Sequence, residues 1–292
     1  MDYTDFSLFL PLPGSGRVAA MTTNNIRTIE ALRAQVEALE NRSHTPFSGA
    51  PSAALVLLED GQWVPGVRVD SAAFSLSLSA LMNAVTTAVA LDQTDAMVAL
   101  VVSTAAQPAD QQYAAGLPGM AFDLARDDVF VRSGDFADHA ALPAPAGPLD
   151  PFVETGSPAA TSRVALTRQI AERALTPASG FPVGALLETA DGRLLPGVNV
   201  EHDDWSRILC AERNALGAAH AYGVADDLRA LYLSCPLDAQ GTPCGACRQW
   251  LVELAPDITL WMDRGDNPPE QRTPRDLLPG SFSGQAIPRS TL

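Results

Sequence analysis

Cysteine is scarce in this chain, with four residues among 292, all of them in the last third. A small secreted domain held together by disulfides needs a denser and more even set, so these counts exclude a disulfide framework. Isolated thiols are typical of a reducing compartment, where they bind metals or react. We therefore expect a cytoplasmic protein whose cysteines have chemical roles.

Basic residues are also few. The chain has 19 Lys and Arg against 34 Asp and Glu, a formal net charge of -15 and no basic run, which excludes a nucleic-acid partner. Hydrophobic runs long enough to cross a bilayer are missing as well. The opening stretch, residues 1–20, is broken by Pro11 and Pro13 and lacks a basic start, so we expect a loose tail and no membrane contact, with Met21 as an alternative start.

What the chain does contain is an internal repeat. Residues 48–85 align without a gap on residues 179–216, with identity at sixteen of 38 positions, which predicts a tandem duplication. The same offset of 131 places "LVVS" (100–103) on "LYLS" (231–234) and "VFV" (129–131) on "LWM" (260–262).

Each copy has the pattern of one α/β domain. Alternating helices and strands that begin with a hairpin predict a three-layer α/β/α fold with a mixed sheet. We expect two such tandem domains, 22–145 and 158–292, joined by the Pro- and Gly-rich linker 141–161. In the second copy the pattern predicts a helix over 162–176, a hairpin turning at Asp191-Gly192, a helix over 209–222, a strand over 230–235, a helix from Cys244, a strand over 258–263 and a proline-rich tail.

The stretch "PCGAC" spaces Cys244 and Cys247 as C-x-x-C at a predicted helix start. Two thiolates at this spacing can bind one tetrahedral Zn²⁺, which takes further ligands from elsewhere. Cys210 also lies at a predicted helix start, where the helix dipole favours a thiolate. Three sulfurs leave a fourth position open, as in catalytic zinc sites, and Glu212 is placed to serve a water there as general base.

The motifs "CAERNAL" and "PCGACRQWL", with "SGFPVGALL", "GVNVE" and "LLPGSF", resemble the zinc-dependent cytidine deaminase family over nearly all of residues 160–285. The resemblance implies a cytidine-deaminase-like fold and one Zn²⁺ per chain, bound by the three cysteines. It further implies hydrolytic deamination of cytidine and deoxycytidine to uridine and deoxyuridine in pyrimidine salvage. In this family the residue that matches Glu212 moves the protons.

The resemblance also implies which residues surround the nucleoside. Asn199 and Glu201 match the pair that hydrogen-bonds the ribose 3'-hydroxyl. Phe181 and Ala211 match residues of the nucleoside pocket. Phe282 matches an aromatic residue that packs on the base from a neighbouring subunit, and we therefore expect a homodimer.

Three thiolates on Zn²⁺ leave a net negative centre, which weakens the power of the metal to acidify water. Arg213 and Arg248, adjacent to Glu212 and Cys247, are placed to donate hydrogen bonds to the ligand sulfurs.

The first copy lacks all of these groups, so we expect a non-catalytic, structural domain. Through the repeat, Cys210 falls on Ser79, Glu212 on Leu81, Cys244 on Tyr113, Cys247 on Gly116, Asn199 on Arg68 and Glu201 on Asp70.

One stretch departs from the family, which usually has E-N-A, a small residue and Tyr where this chain has "EHDDW" (201–205). In the family this segment helps to bind the nucleoside 5'-hydroxyl in an adjacent subunit, and extra acid there would repel 5'-phosphates. Two other functions stay open: a deaminase of another aminopyrimidine nucleoside, such as a blasticidin-type antibiotic, and a zinc-stabilised scaffold without turnover. A pure scaffold has no use for Glu212.

Overall fold

The computed structural model describes residues 23–134, 141–153 and 156–288. The expected loose tail over 1–20 lies outside them. Within the described residues, two β-sheets are flanked by helices. No helix in this part of the chain is both long and apolar enough to cross a membrane.

The first sheet and its helices come from the N-terminal half of the chain. Their order is α1 (Thr23–Leu39), β1 (Ala53–Leu58), β2 (Gln62–Val67), α2 (Ala80–Ala90), β3 (Met97–Val102), α3 (Pro108–Ala115), β4 (Phe122–Arg126), β5 (Val129–Arg132) and β6 (Gly147–Pro148). The strands lie side by side as β4-β5-β3-β1-β2-β6.

The second sheet comes from the C-terminal half. Its elements are α4 (Ala160–Ala171), β7 (Gly184–Thr189), β8 (Leu194–Val198), α5 (Ala211–Tyr222), β9 (Leu228–Ser234), α6 (Gly245–Leu254), β10 (Thr259–Arg264), β11 (Asn267–Arg272) and α7 (Pro274–Leu277). The strands lie as β11-β10-β9-β7-β8. The predicted hairpin turns at Gly192, whose φ of 86° suits glycine.

The internal repeat is reproduced in the strand pairing. Ala53 lies opposite Val67 in the first hairpin, and Gly184 lies opposite Val198 in the second. The offset is 131 on both strands (184 minus 53, and 198 minus 67). The isolated bridges that follow each hairpin repeat at the same offset.

Helices cover both faces of each sheet. Strand β1 is buried along its whole length, and its side chains alternate between the two faces. Leu55 and Leu57 belong to the cluster that includes α1, whereas Val56 and Leu58 belong to the cluster that includes α2. Strand β7 lies in the same way between α4 and α5. The expected pair of three-layer α/β/α units with mixed sheets is confirmed.

The two sheets differ after β3 and β9. Strand β10 runs parallel to β9, whereas β5 runs antiparallel to β3, so the expected equivalence of 129–131 with 260–262 is wrong. In the first unit β4 takes the outer position, and β5 returns to meet β3 from the opposite direction. The proline-rich tail also contributes an outer strand, β11, where Pro268 and Pro269 lie at the shift in register with β10 between Met262 and Arg264, so the ladder does not need their N–H groups.

The expected linker, 141–161, contacts both sheets. Strand β6 pairs in parallel with β2, with Gly147 opposite Gln62. A few residues later Val153 bridges to Leu194 at the start of β8. This segment therefore connects the sheets through backbone pairing at both ends.

The two units pack together through α2 and α5. Asn83 and Asn214, which are equivalent in the repeat, are fully buried there. Each side-chain amide forms a hydrogen bond with a strand of its own unit and a second hydrogen bond with the other unit. Asn83 Nδ2 donates to Gly217 O (3.0 Å), and Asn214 Nδ2 donates to Thr86 Oγ1 (3.1 Å). The contact therefore has approximate two-fold symmetry within one chain.

Helix α5 approaches β8 closely at Gly197, where an added Cβ would overlap Ala211 O and Ala215. We expect Gly197→Ala to lower the free energy of unfolding by roughly 1–3 kcal/mol, the usual cost of overpacking. Urea unfolding measures this. Gly156→Ala is the control, because nothing lies within 4 Å of a Cβ at that position. Equal urea midpoints for Gly197→Ala and Gly156→Ala would contradict the close packing of α5 on β8.

Candidate active site

Three cysteines converge at the N-terminal ends of α5 and α6. Cys210 is the N-cap residue of α5, Cys244 is the N-cap residue of α6, and Cys247 lies in the first turn of α6. Cys244 Sγ lies 3.7 Å from Cys210 Sγ and 3.5 Å from Cys247 Sγ. The structure thus brings together the three thiols that the sequence singles out.

The geometry and chemistry of this group fit zinc. Zn–S bonds of about 2.3 Å in a tetrahedron place sulfur atoms about 3.8 Å apart, close to the observed separations. Among the described residues, this is the one group of three potential ligands drawn from His, Cys, Asp and Glu. Three protein sulfurs fill three tetrahedral positions and leave the fourth for water or substrate.

The thiols differ in acidity. Hydrogen bonds from the Cys210 and Cys247 thiols, with backbone N–H groups of the first turn of α6, lower the pKa of Cys244. Donation within the cluster and burial raise the pKa values of Cys210 and Cys247. Negative charge therefore concentrates on Cys244, which is also the most exposed of the three.

Glu212 lies in the first turn of α5 and is 3% exposed. Burial raises the pKa of its carboxyl to about 7, and the charge of Cys244 acts in the same direction. Its carboxyl also has a hydrogen-bond interaction with the Cys247 thiol, so it faces the cluster. A carboxyl that titrates near neutrality can both accept and release a proton, which is what a general acid-base catalyst does.

Asn199 and Glu201 hold the loop that carries Phe181. Asn199 Oδ1 accepts from the Val183 N–H (2.7 Å), and its Nδ2 donates to Phe181 O (2.9 Å). Glu201 Oε2 accepts from the Ala178 N–H (2.8 Å). Burial alone would raise the pKa of Glu201, but the hydrogen bonds from this loop hold it below its ordinary value. Glu201 is therefore a fixed, ionised acceptor.

The two arginines beside the site bind backbone carbonyl groups. Arg213 Nη2 donates to Leu76 O (2.8 Å) of the first copy, and its guanidinium lies 5.0 Å from the Trp250 ring centroid. Arg248 Nε donates to Pro243 O (2.8 Å). Within the described structure, the hydrogen bonds of these arginines do not go to a sulfur. Arg213 Nε is buried without a partner, and the charge of Arg213 lowers the pKa of Glu212, so the guanidinium lies near that carboxyl.

The other residues expected at the substrate differ in exposure. Ala211, the first residue of α5, is fully buried, whereas the side chains of Phe181 and Phe282 are 37% and 55% exposed. Phe282 is anchored through its backbone, because its carbonyl oxygen accepts from Gln249 Nε2 on α6 (2.7 Å). Both rings are therefore accessible to a ligand or to another subunit.

Segment 202–207, which contains most of the "EHDDW" stretch that departs from the family, packs on the first copy. The His202 ring stacks on Tyr113 with centroids 5.1 Å apart, and the Asp203 N–H donates to Gly116 O (3.3 Å). Its partner within the chain is α3, a helix without cysteine. The expected effect of acid in this segment on a substrate 5'-phosphate concerns an adjacent subunit and stays a prediction.

In the first copy, the helix equivalent to α5 carries no metal ligand. Ser79 caps α2 as Cys210 caps α5, and its hydroxyl accepts from a backbone N–H of the helix. Leu81, fully buried, stands in place of Glu212. Neither a thiolate nor a general base is available there.

Helix α3 differs from α6 in register. Gln107 is the N-cap residue of α3, whereas Tyr113 lies in its last turn, so Tyr113 is not the structural counterpart of Cys244. The expected matches of Tyr113 with Cys244 and of Gly116 with Cys247 are wrong, because the loop before α3 is shorter than the loop before α6. Cysteine is absent from α3 in either register.

Residues of the first copy that reach the second were missed from the sequence. Ser71 and Ala72 bond Glu253 on α6, and Leu76 bonds Arg213. The sequence did contain a signal for a role of this loop. In "DSAAF" (70–74) two small residues precede an aromatic one, as is usual in the family, whereas "EHDDW" has lost this order.

Known proteins of one family are similar in sequence to this chain. A family model described as "Cytidine and deoxycytidylate deaminase zinc-binding region" matches residues 160–261, and a second model with the same description matches residues 15–141. A cytidine deaminase of Sporosarcina psychrophila is 36% identical over 127 residues, covering 42% of this chain and 91% of that protein. One of Mycobacterium tuberculosis is 39% identical over 124 residues, covering 41% of this chain and 87% of that protein.

A solved cytidine deaminase from Burkholderia pseudomallei is 34% identical, with a TM-score of 0.39, and covers 41% of this chain and 95% of that one. The three-thiol site with its buried carboxyl defines a zinc-dependent enzyme of the deaminase class. The chain belongs to the cytidine deaminase family.

We expect one zinc per chain, since among the described residues only the second copy presents a ligand group. Metal analysis of the purified protein should give one equivalent, and Cys210→Ala should lose most of it because a tetrahedral site then keeps two protein ligands. Two equivalents in the native protein, or full zinc content in Cys210→Ala, would overturn this assignment.

Proposed function

We propose that the chain catalyses hydrolytic deamination of cytidine and deoxycytidine to uridine and deoxyuridine, a reaction of pyrimidine salvage in the cytoplasm. The observation that carries the proposal is Glu212, a buried carboxyl in the first turn of α5 that faces three thiols with zinc-binding separations. A purely structural zinc site needs the thiols but not this carboxyl. The relatives that match the chain are named cytidine deaminases.

Bound by the three cysteines, Zn²⁺ would lower the pKa of a water molecule and polarise the reacting centre. Glu212 then moves the protons. As a carboxylate it takes a proton from the water, and as a carboxylic acid it gives a proton to the amino nitrogen that leaves C4 of the base. Water adds at C4 and the amino group leaves with one of the water protons as ammonia, so a carbonyl group forms at C4 and the other proton stays on N3 of the product.

The nucleoside is held by the loop and helix ends around the cluster. We assign Asn199 and Glu201 to the ribose 3'-hydroxyl, because a fixed, ionised carboxylate is a strong acceptor. Phe181 and Phe282 supply exposed rings for stacking, and Ala211, at the N-terminal end of α5, offers its backbone to the base.

We further propose a division of roles between the copies. Residues 158–292 form the catalytic domain, and residues 22–145 form a non-catalytic domain that supports it. Arg213 and Arg248 offset the negative charge of the loaded centre, with the unpartnered Arg213 Nε as the available donor.

The proposed assembly is a homodimer, in which the exposed ring of Phe282 completes the site of the second chain. Light scattering of the full chain, whose mass is 30.7 kDa, should give about twice that mass. We expect Phe282→Ala to raise KM while zinc content stays unchanged. A fully active monomer would contradict both expectations.

We expect Glu212→Gln to keep its zinc and its thermal stability but to lose kcat by about 10²–10⁴-fold or more, because the amide cannot exchange the protons. Spectrophotometric loss of cytidine is the assay, with deoxycytidine, free cytosine and a blasticidin-type nucleoside as comparators. Glu172→Gln, on the exposed end of α4, is the control. Near-native turnover by Glu212→Gln would refute the mechanism, and turnover of another comparator alone would redirect the substrate assignment.

A further inference from the structure

Loop 71–76 of the first copy is docked on α6 of the catalytic copy. Glu253 binds the start of this loop with both carboxylate oxygens. Oε2 accepts from Ser71 Oγ (2.6 Å), and Oε1 accepts from the Ala72 N–H (2.7 Å). Ser71 and Ala72 are almost fully buried, so water competes little for these charge-assisted hydrogen bonds.

The end of the same loop meets two side chains of the catalytic copy. Leu76 O accepts from Arg213 Nη2 (2.8 Å) and from Trp250 Nε1 (3.1 Å). Trp250 is fully buried, and Arg213 is 9% exposed. One carbonyl oxygen of the first copy therefore fixes the guanidinium of the residue that directly follows Glu212.

The contact in the opposite direction, between the catalytic copy's loop and the non-catalytic copy, does not fix a side chain next to a catalytic residue. The equivalent loop of the catalytic copy, 202–207, binds α3 through the Asp203 N–H to Gly116 O and through Arg207 Nη1 to Ala109 O (2.6 Å). It ends on backbone carbonyl groups of the non-catalytic copy. Only the loop of the first copy ends beside a catalytic group.

A fixed guanidinium has a physical role at this position. Cys210, Cys244, Cys247 and Glu212 concentrate acidic groups in one place, and Arg213 is the cation next to them in the chain. Its charge lowers the pKa of Glu212, and its Nε is buried and unpartnered while Leu76 O binds Nη2 on the other side of the fork. A guanidinium released from Leu76 could turn away from the cluster.

We propose that Glu253 is a positioning residue for this active site. It holds loop 71–76, and Leu76 O in turn keeps Arg213 in place beside the zinc ligands and Glu212. The effect on turnover rests on the proposed function, whereas the effect on metal retention does not.

The test compares Glu253→Ala with a matched control, Asp123→Ala. The control also removes a carboxylate bound to a serine hydroxyl, since Asp123 Oδ2 accepts from Ser133 Oγ (2.8 Å), but this pair lies wholly within the first copy. Two readouts are measured on the full chain: the rate of zinc loss to a chelator, followed by a metal indicator, and the separate kcat and KM values for cytidine.

Glu253→Ala should lose zinc about tenfold faster and show a kcat about tenfold lower, as is usual when a group that orients a metal centre is removed. KM is expected to rise as well, because loop 71–76 is the repeat equivalent of the segment that binds the nucleoside 5'-hydroxyl in the family, so the lower kcat and the faster zinc loss carry the test. Ser71→Ala should show the same change at smaller size, since the Ala72 N–H still binds Glu253. The double variant, with both Glu253→Ala and Ser71→Ala, should match Glu253→Ala alone in zinc loss and in kcat.

Arg213→Lys gives an independent check, because it keeps the charge but loses the planar fork that Leu76 O binds. It should reproduce the faster zinc loss. Folded Glu253→Ala with zinc retention and kcat equal to those of Asp123→Ala would overturn the proposal, and so would a change confined to KM. If the native enzyme did not turn over cytidine, the proposed function would fail, and zinc retention would still decide the role of Glu253.

Discussion

The close crossing of α2 and α5 is the contact on which the rest of this structure depends. Glycine lets α5 lie directly on β8, and two buried asparagines, Asn83 and Asn214, tie each helix both to its own sheet and to the other copy. Because Cys210 is the N-cap residue of α5, the same contact sets where the cysteine cluster forms. It also brings the loop after each hairpin within reach of the opposite copy, so the two halves of the chain complete one another.

The active site is a local concentration of negative charge in a protein that is already strongly acidic. Helix N-termini favour nearby anions by about 0.3–1 kcal/mol each, whereas burying an ion costs several kcal/mol. Two helix ends therefore cannot balance three thiols and the buried carboxyl of Glu212 without further positive charge. A divalent metal supplies two positive charges, and Arg213, held by the first copy, adds a third. In the proposed arrangement, the copy without ligands acts on the chemistry through one carbonyl oxygen.

The sequence was sufficient where structure depends on local signals. The repeat predicted the strand register up to β3 and β9, and the C-x-x-C spacing with Cys210 predicted the thiol cluster, because N-cap positions are set within one turn of helix. Sequence patterns did not predict the features that depend on contacts between segments far apart in the chain. The reversed β5 and the register of α3 depend on loop lengths, which residue patterns do not encode. For loop 71–76 the pattern "DSAAF" gave a signal, but it did not identify Glu253 as the partner, because that contact joins residues far apart in the chain.

The central claim is that one chain holds a single open zinc site built by three sulfurs. X-ray absorption at the zinc edge, recorded on the purified full-length protein, reports the number and type of ligands directly. The account predicts three sulfur scatterers at about 2.3 Å and one lighter oxygen or nitrogen scatterer per zinc. A shell of four sulfurs would make the site closed and structural, and a shell without sulfur would place the metal elsewhere; either result would contradict the account.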